Sequence, residues 1–159
     1  MAIAPIATLN QVVIGLNRIA TAHTQINTFY FGDAWEFATS GVTTYPAMVV
    51  SLDNGNFQRQ VTELKMSIYL MDLVRKGESN ETEVLSDMIS IGKDIRSEVG
   101  YDAQINGWTW NVRNPDAISF ESFTEKFDDM VTGVKMTVVF QLVSPDDTCQ
   151  IPFGSITRF

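Results

Sequence analysis

The chain reads as an α+β protein: a mainly antiparallel β-sheet of hairpins with two amphipathic helices packed on one face. Three observations predict this. Two stretches carry apolar residues at three- and four-residue spacing, the pattern of a helix with one buried face. After each come runs in which apolar and polar residues alternate, as in half-buried strands. Turn-forming residues separate several of those runs at hairpin spacing. The order helix-then-hairpin occurs twice, although no residue-level repeat accompanies it. Two layers, helices over hairpins, bury both sets of apolar faces.

Residues 8–25 form the first predicted helix. Thr8 with Gln11 makes a capping box, and Leu9, Val12, Val13, Leu16, Ile19, Ala20 and His23 make one apolar face. Residues 26–37 are dense in aromatics (Phe29, Tyr30, Phe31, Trp35, Phe37) and read as a short strand with an ordered loop. The stretch 38–46 reads as irregular, and Pro46 biases Tyr45 away from the α region. Ala47 to Leu52 is a strand, Asp53-Asn54-Gly55-Asn56 a hairpin turn, and residues 60–74 a long strand. The far end of that strand, Leu70 to Val74, is apolar on both faces and calls for cover on both.

Asn80 serves as N-cap of the second helix, with Glu81 and Glu83 suiting its positive end. Its inward face is Val84, Leu85, Met88, Ile91, Ile95 and Val99, and Gly100 stops it. Residues 107–112 read as a strand with Trp108 and Trp110 on one face, and Asn114-Pro115-Asp116 as a turn. Ile118 to Phe127 is a strand whose uncertain register suggests a bulge. Residues 128–133 connect it to the clearest strand, in which Val134, Met136, Val138, Phe140 and Leu142 alternate with Lys135, Thr137, Val139, Gln141 and Val143. The pattern ends at Ser144-Pro145-Asp146-Asp147. Residues 1–147 thus form one α+β domain and 148–159 an extension or arm. That extension carries Ile151, Phe153, Ile156 and Phe159 without periodicity. It either folds back on its own domain or lies on a neighbour.

The composition suits one soluble domain with one core: 159 residues, 45% hydrophobic and 19% charged. The single Cys149 cannot form an internal disulfide, which suits a reducing cytoplasm. Residues 1–6 lack a basic region ahead of their apolar ones, so no secretory signal is expected, and no run is long enough to span a membrane. Asn80-Glu81-Thr82 fits a glycosylation sequon but is read as coincidence without export. The formal charge is −8, with about −1 in residues 1–60 and about −7 in 61–159. Acidity repels phosphate backbones, so specific nucleic-acid binding is not expected. The same repulsion suits a lining past which DNA slides, and it also simply aids solubility.

The residues for chemistry are sparse, and no enzyme is expected. His23 sits at helical spacing with apolar residues and lacks metal-ligand partners, Cys149 being remote. No phosphate loop, dinucleotide motif or serine elbow occurs. The pairs Asp128–Asp129 and Asp146–Asp147 read as solvated turn acids rather than cation ligands. Asp33 and Glu36 lie inside the aromatic segment, where a hydrolase would have to be built on them. Trp108 and Trp110 on one strand face roof a core, anchor an interface or stack a ligand; the alternative function is a small non-viral ligand- or protein-binding module that uses this face. No metal and no cofactor is expected.

A family resemblance runs through residues 8–147. A leading helix is followed by NTFYFGDAWEF (27–37), TYPAMVVSL (44–52), ELKMSIYLMDLV (63–74), a helix at ETEVLSDMISIGKDI (81–95) and SFESFTEKFDDMVTGVKMTVVFQLVSPDD (119–147). This resembles small virion proteins of tailed bacteriophages, the tail-terminator or tail-completion type and related head–tail connector ring subunits. The segment FDDMVTGVKMTVVFQL (127–142) carries most of the likeness. The resemblance implies a homo-oligomeric ring, often sixfold or twelvefold, in the tail or neck of a virion assembled in the host bacterial cytoplasm. Its partners would be tail-tube and neck or connector proteins, with genomic DNA passing unbound. On that expectation, Phe29, Phe31, Trp35, Phe37, Ile151, Phe153 and Phe159 form subunit contacts, and Asp128 and Asp129 face the DNA channel. The family has no catalytic residues to carry over, and its pattern does not account for the apolar segment after Asp147.

Overall fold

The computed structural model describes residues 8–33, 36, 44–74, 80–100, 110–126 and 130–143. Among them the order is α1 (Leu9–Ala22), β1 (Thr28–Phe31), β2 (Ala47–Phe57), β3 (Val61–Leu73), α2 (Glu81–Gly100), β4 (Trp110–Val112), β5 (Phe120–Lys126) and β6 (Met130–Val143). The strands make one sheet in the order β1-β2-β3-β6-β4, with β5 also on β6. Strands β4 and β5 share the same outer edge of β6, β4 opposite residues 140–142 and β5 opposite residues 130–136. Every pair is antiparallel except β1 with β2, which is parallel. The architecture is the α+β class that the sequence predicts, with a mixed rather than purely antiparallel sheet.

The capping box forms as expected. The Gln11 N–H donates to the Thr8 hydroxyl at 3.3 Å, and the Thr8 N–H to the Gln11 side-chain oxygen at 3.1 Å. The helix ends sooner than the apolar pattern does, at Ala22, where His23 turns extended as the C-cap. In α2 the buried residues are Val84, Met88, Ile91, Gly92, Ile95 and Val99; Leu85 is only half-buried.

Strand alternation then sorts the core. Met48, Val50, Met66, Ile68, Leu70, Val134, Met136, Val138, Phe140 and Leu142 join the inward residues of both helices in one cluster. Both helices therefore cover the same face of the sheet. The opposite face holds a smaller cluster at one end, Ala47, Val49, Met71 and Val131, flanked by Tyr30, Tyr45, Tyr69 and Phe123. It covers the second face at Met71, while Leu73 stays exposed.

Three further details of the strands differ from expectation. Strand β2 does not turn at Asp53–Asn56 but runs on to Phe57, and the hairpin closes where the Gln58 N–H donates to the Val61 carbonyl at 2.9 Å. The Asp-Asn-Gly residues serve a bulge instead, because the β2–β3 register shifts between Leu52 and Asn54. Gly55 lies so close to β3 that a Cβ there would stand 2.7 Å from the Glu63 carbonyl oxygen. Among the described residues of β5 no bulge occurs: its register with β6 is unbroken from Phe120 to Lys126. Finally, β6 begins at Met130, ahead of the clean alternation, because β5 pairs with it from its first residue.

Candidate interaction surface

The hairpin end of the sheet is where chemistry faces solvent. Strand β1 pairs with β2 only as far as Phe31 opposite Val50, and the Gly32 N–H closes that pairing on the Val50 carbonyl at 2.9 Å. Beyond this point, among the described residues, β2 has a ladder partner only in β3. Residues 52–57 are all exposed. An edge of this kind offers unpaired backbone groups to another chain. The bulge at Asp53 tempers it, since bulges twist an edge away from indiscriminate pairing. Its position is held from the neighbouring strand: the buried Ser67 hydroxyl donates to the Asp53 carboxylate at 2.5 Å.

Apolar side chains gather at the same end. Phe57 is 93% exposed, and Leu52 and Val143 are each about two-fifths exposed. Val143 pairs with Val61 across β3–β6, so Phe57, Val61 and Val143 belong to the same end of three adjacent strands. A phenylalanine this exposed adds almost no transfer free energy to folding.

A buried carboxylate ties this end together. Glu63 is only 5% exposed although it lies on the face away from the helices. It accepts from Gln58 Nε2 at 2.6 Å, Gln141 Nε2 at 3.2 Å and Arg113 at 3.4 Å. Those partners come from the hairpin loop, from β6 and from the residue following β4. One side chain thus ties together the hairpin and both strands beyond it. A buried charge is tolerable only when its oxygens are so satisfied. Pairwise sequence patterns do not reveal this cluster, because Arg113 is 50 and Gln141 is 78 positions away.

Beside the open edge lies a wide cleft of about 680 Å³, lined in part by Phe31, Gly32, Asp33, Leu52 and Asp53. Asp33 and Glu36, the acids of the hydrolase alternative, do not meet His23 here. The Tyr30 hydroxyl donates to Glu36 at 3.1 Å. Desolvation, then the hydrogen bond to Glu36 and its charge, with Asp33 adding, raise the Tyr30 pKa above its ordinary value. His23 instead clasps the two helices: its Nε2 is 2.9 Å from the Asp94 carboxylate, while its Nδ1 accepts the Gln25 N–H at 3.2 Å. That acceptance assigns the neutral-ring proton to Nε2, which donates to Asp94.

The other predicted residues divide plainly. Phe29 and Phe31 are half-buried and packed against the main core. Trp35, Phe37, Trp108, Asp128, Asp129, Ile151, Phe153 and Phe159 lie outside the described residues. Trp110 is a core residue, 2% exposed, with its indole N–H donating to the Val99 carbonyl at 3.1 Å and its ring edge-on to Phe140. It has no ring face left for a ligand. Among the described residues, no group of three or more His, Cys, Asp or Glu side chains could hold a metal, and no helix is long and apolar enough to cross a membrane. Compared with protein-family models and with curated proteins, the chain matches none.

Proposed function

We propose that this chain is a structural virion protein of a tailed phage, a subunit that closes into a ring at the tail end or neck. There the ring would terminate the tail tube, join tail to head, or do both. The observation that carries the reading is the hairpin end: a β2 edge that is open among the described residues, beside an exposed Phe57, where Glu63 joins the hairpin to β6 and Arg113. A head-to-tail contact between two different surfaces of one chain closes into a ring when its rotation divides a full turn. An open strand edge supplies such a contact by strand addition, with main-chain bonds for affinity and side chains such as Phe57 for register. Among the described residues, the folded chain has the order α-β-β-β-α-β-β-β that the sequence predicts.

The acidic balance fits the same reading. With a charge of −8, the surface repels a passing polymer of phosphates instead of holding it. The work assigned to the chain is assembly geometry, with no bond made or broken. Negative-stain microscopy of the purified protein, alone and mixed with the tail-tube protein from the same genome, tests it. Closed rings capping tube ends support the reading, and single particles that leave tube length uncontrolled refute it.

A further inference from the structure

Among the described residues the sheet is open on both sides. Residues 51–57 of β2 lie beyond the end of β1 on one side, and β5, which pairs only with β6, is outermost on the other. Both edges face solvent: residues 52–57 are exposed, and so are Phe120, Glu121, Ser122 and Thr124. The two most exposed large apolar side chains among the described residues stand on these two edges, Phe57 at 93% and Phe120 at 53%. Both belong to the helix-covered face. Phe120 is opposite Met136 of the main core, and Phe57 is opposite Thr62, two residues from Leu64, which packs on that core.

We infer that β2 of one copy pairs antiparallel with β5 of the next, Phe57 opposite Phe120. Resting on the ring reading, this pairing names the surface that the hairpin end meets. Strand sense agrees, because β2, β3, β6 and β5 are each antiparallel to the one before, so neighbouring copies in one continuous sheet present β2 and β5 as an antiparallel pair. Register agrees as well. With Phe57 on Phe120, Asn56 meets Glu121, Gly55 meets Ser122 and Asn54 meets Phe123, so each pair shares a face and no like charges oppose. Phe120 also walls, with Ile89, an apolar groove of about 280 Å³ floored by Gly92, Val134 and Met136. An arriving Phe57 ring therefore meets apolar surface.

The offset between the two edges suits closure. Phe57 is level with Leu142 of its own β6, and Phe120 with Met136, so each added copy steps six residues along the strands. That step is about 20 Å, against about 19 Å across four strands. The strands then incline by about 45° from the ring axis, close to the tilt with which sheets close into barrels.

Disulfide trapping tests the pairing. In a Cys149→Ser background, one chain carries both Asn56→Cys and Glu121→Cys. Within a single chain these positions are three strand spacings apart, about 14 Å, beyond the ~7 Å that a disulfide bridges. Mild oxidation of the assembled protein is expected to give a ladder of covalent multiples ending at one discrete size. Mixing the two single variants should give dimer alone, and Ile14→Cys in place of Asn56→Cys should give no ladder. A second readout needs no cysteine: Phe57→Lys and Phe120→Glu should each abolish assembly, and the two together should restore it. Thermal melting confirms that each form folds. Rings with neither ladder nor restoration overturn the pairing and leave the ring reading intact. Dimer from Asn56→Cys alone means that β2 edges pair with each other, which overturns the β2–β5 contact. Monomer at every concentration, with no covalent product, overturns both.

Discussion

Gln141 on β6 donates to the buried carboxylate of Glu63 on β3 at 3.2 Å, directly across the ladder in which the two residues are paired. The same carboxylate is reached by Gln58 and Arg113, so it acts as the junction of the hairpin end. Replacing Glu63 with Ala leaves Gln58 and Gln141 without their acceptor. The expected loss is about 1–3 kcal/mol. For a domain of this size each kcal/mol lowers the melting temperature by roughly 2–4 °C. Glu63→Gln keeps one acceptor oxygen and loses less. Thermal unfolding of the three proteins checks the order; equal melting temperatures would remove Glu63 from its role.

Gly133 on β6 leaves no room for a side chain against β3. A Cβ at this position would stand 1.8 Å from the Leu70 carbonyl oxygen, a main-chain atom that cannot rotate away. Gly133→Ala is therefore expected to cost at least the upper end of the ~1–3 kcal/mol typical of overpacking. Soluble yield and urea midpoint measure it. A midpoint like that of the parent would show that the strands separate without penalty.

The carboxyl of Asp72 has a raised pKa because burial desolvates it and Asp87 adds repulsion, partly offset by the hydrogen bond from the Leu73 N–H. The folded state consequently holds its proton to higher pH than the unfolded chain does. Stability from this group is greatest below the ordinary carboxylate value of 3.8 and falls as pH rises through the raised value. Asp72→Asn keeps the acceptor for Leu73 and removes the charge. The substitution is expected to stabilise at pH 7 by about 0.2–1 kcal/mol, the scale of partly exposed charge pairs. The gain shrinks toward zero below pH 3.8, where the native carboxyl is already neutral. A gain of equal size at both pH values would contradict this cause.

The parts of the fold that were legible in the sequence are those set by local chemistry. The Thr8–Gln11 box, the inward stripe of α2 and the alternation from Val134 to Leu142 each follow from spacing within one element. What escaped depends on neighbours. Asp53-Asn54-Gly55-Asn56 has the composition of a hairpin turn, yet close approach to β3 and the Ser67 hydroxyl turn it into a bulge within a longer strand. The parallel pairing of β1 has no local signal, since a short aromatic strand reads alike in either direction. The face of Trp108 and Trp110 left core and ligand both open, and for Trp110 the Val99 carbonyl and the Phe140 ring decide for the core. Of the candidate surface, the Phe29 and Phe31 aromatics stood out in the sequence and prove to pack on the core. Phe57, next to residues that read as a turn, drew no notice and is the most exposed large apolar side chain among the described residues.

Phe57 separates folding from assembly. Because it is 93% exposed, Phe57→Asp should change stability by no more than about 0.5 kcal/mol. It should nonetheless abolish self-association if the hairpin end is the contact. Melting temperature and particle mass, measured on the same sample, check the two halves. Loss of folding together with assembly would mean that the side chain serves the core.

Particle mass in solution bears most directly on the whole account. Mass photometry of the purified chain across a concentration series, with and without tail-tube protein, should reveal a closed oligomer of one discrete copy number, and Phe57→Asp should collapse it to the 17.8 kDa subunit. A native chain that stays at the subunit mass under every condition would mean that this surface does not join one copy to the next.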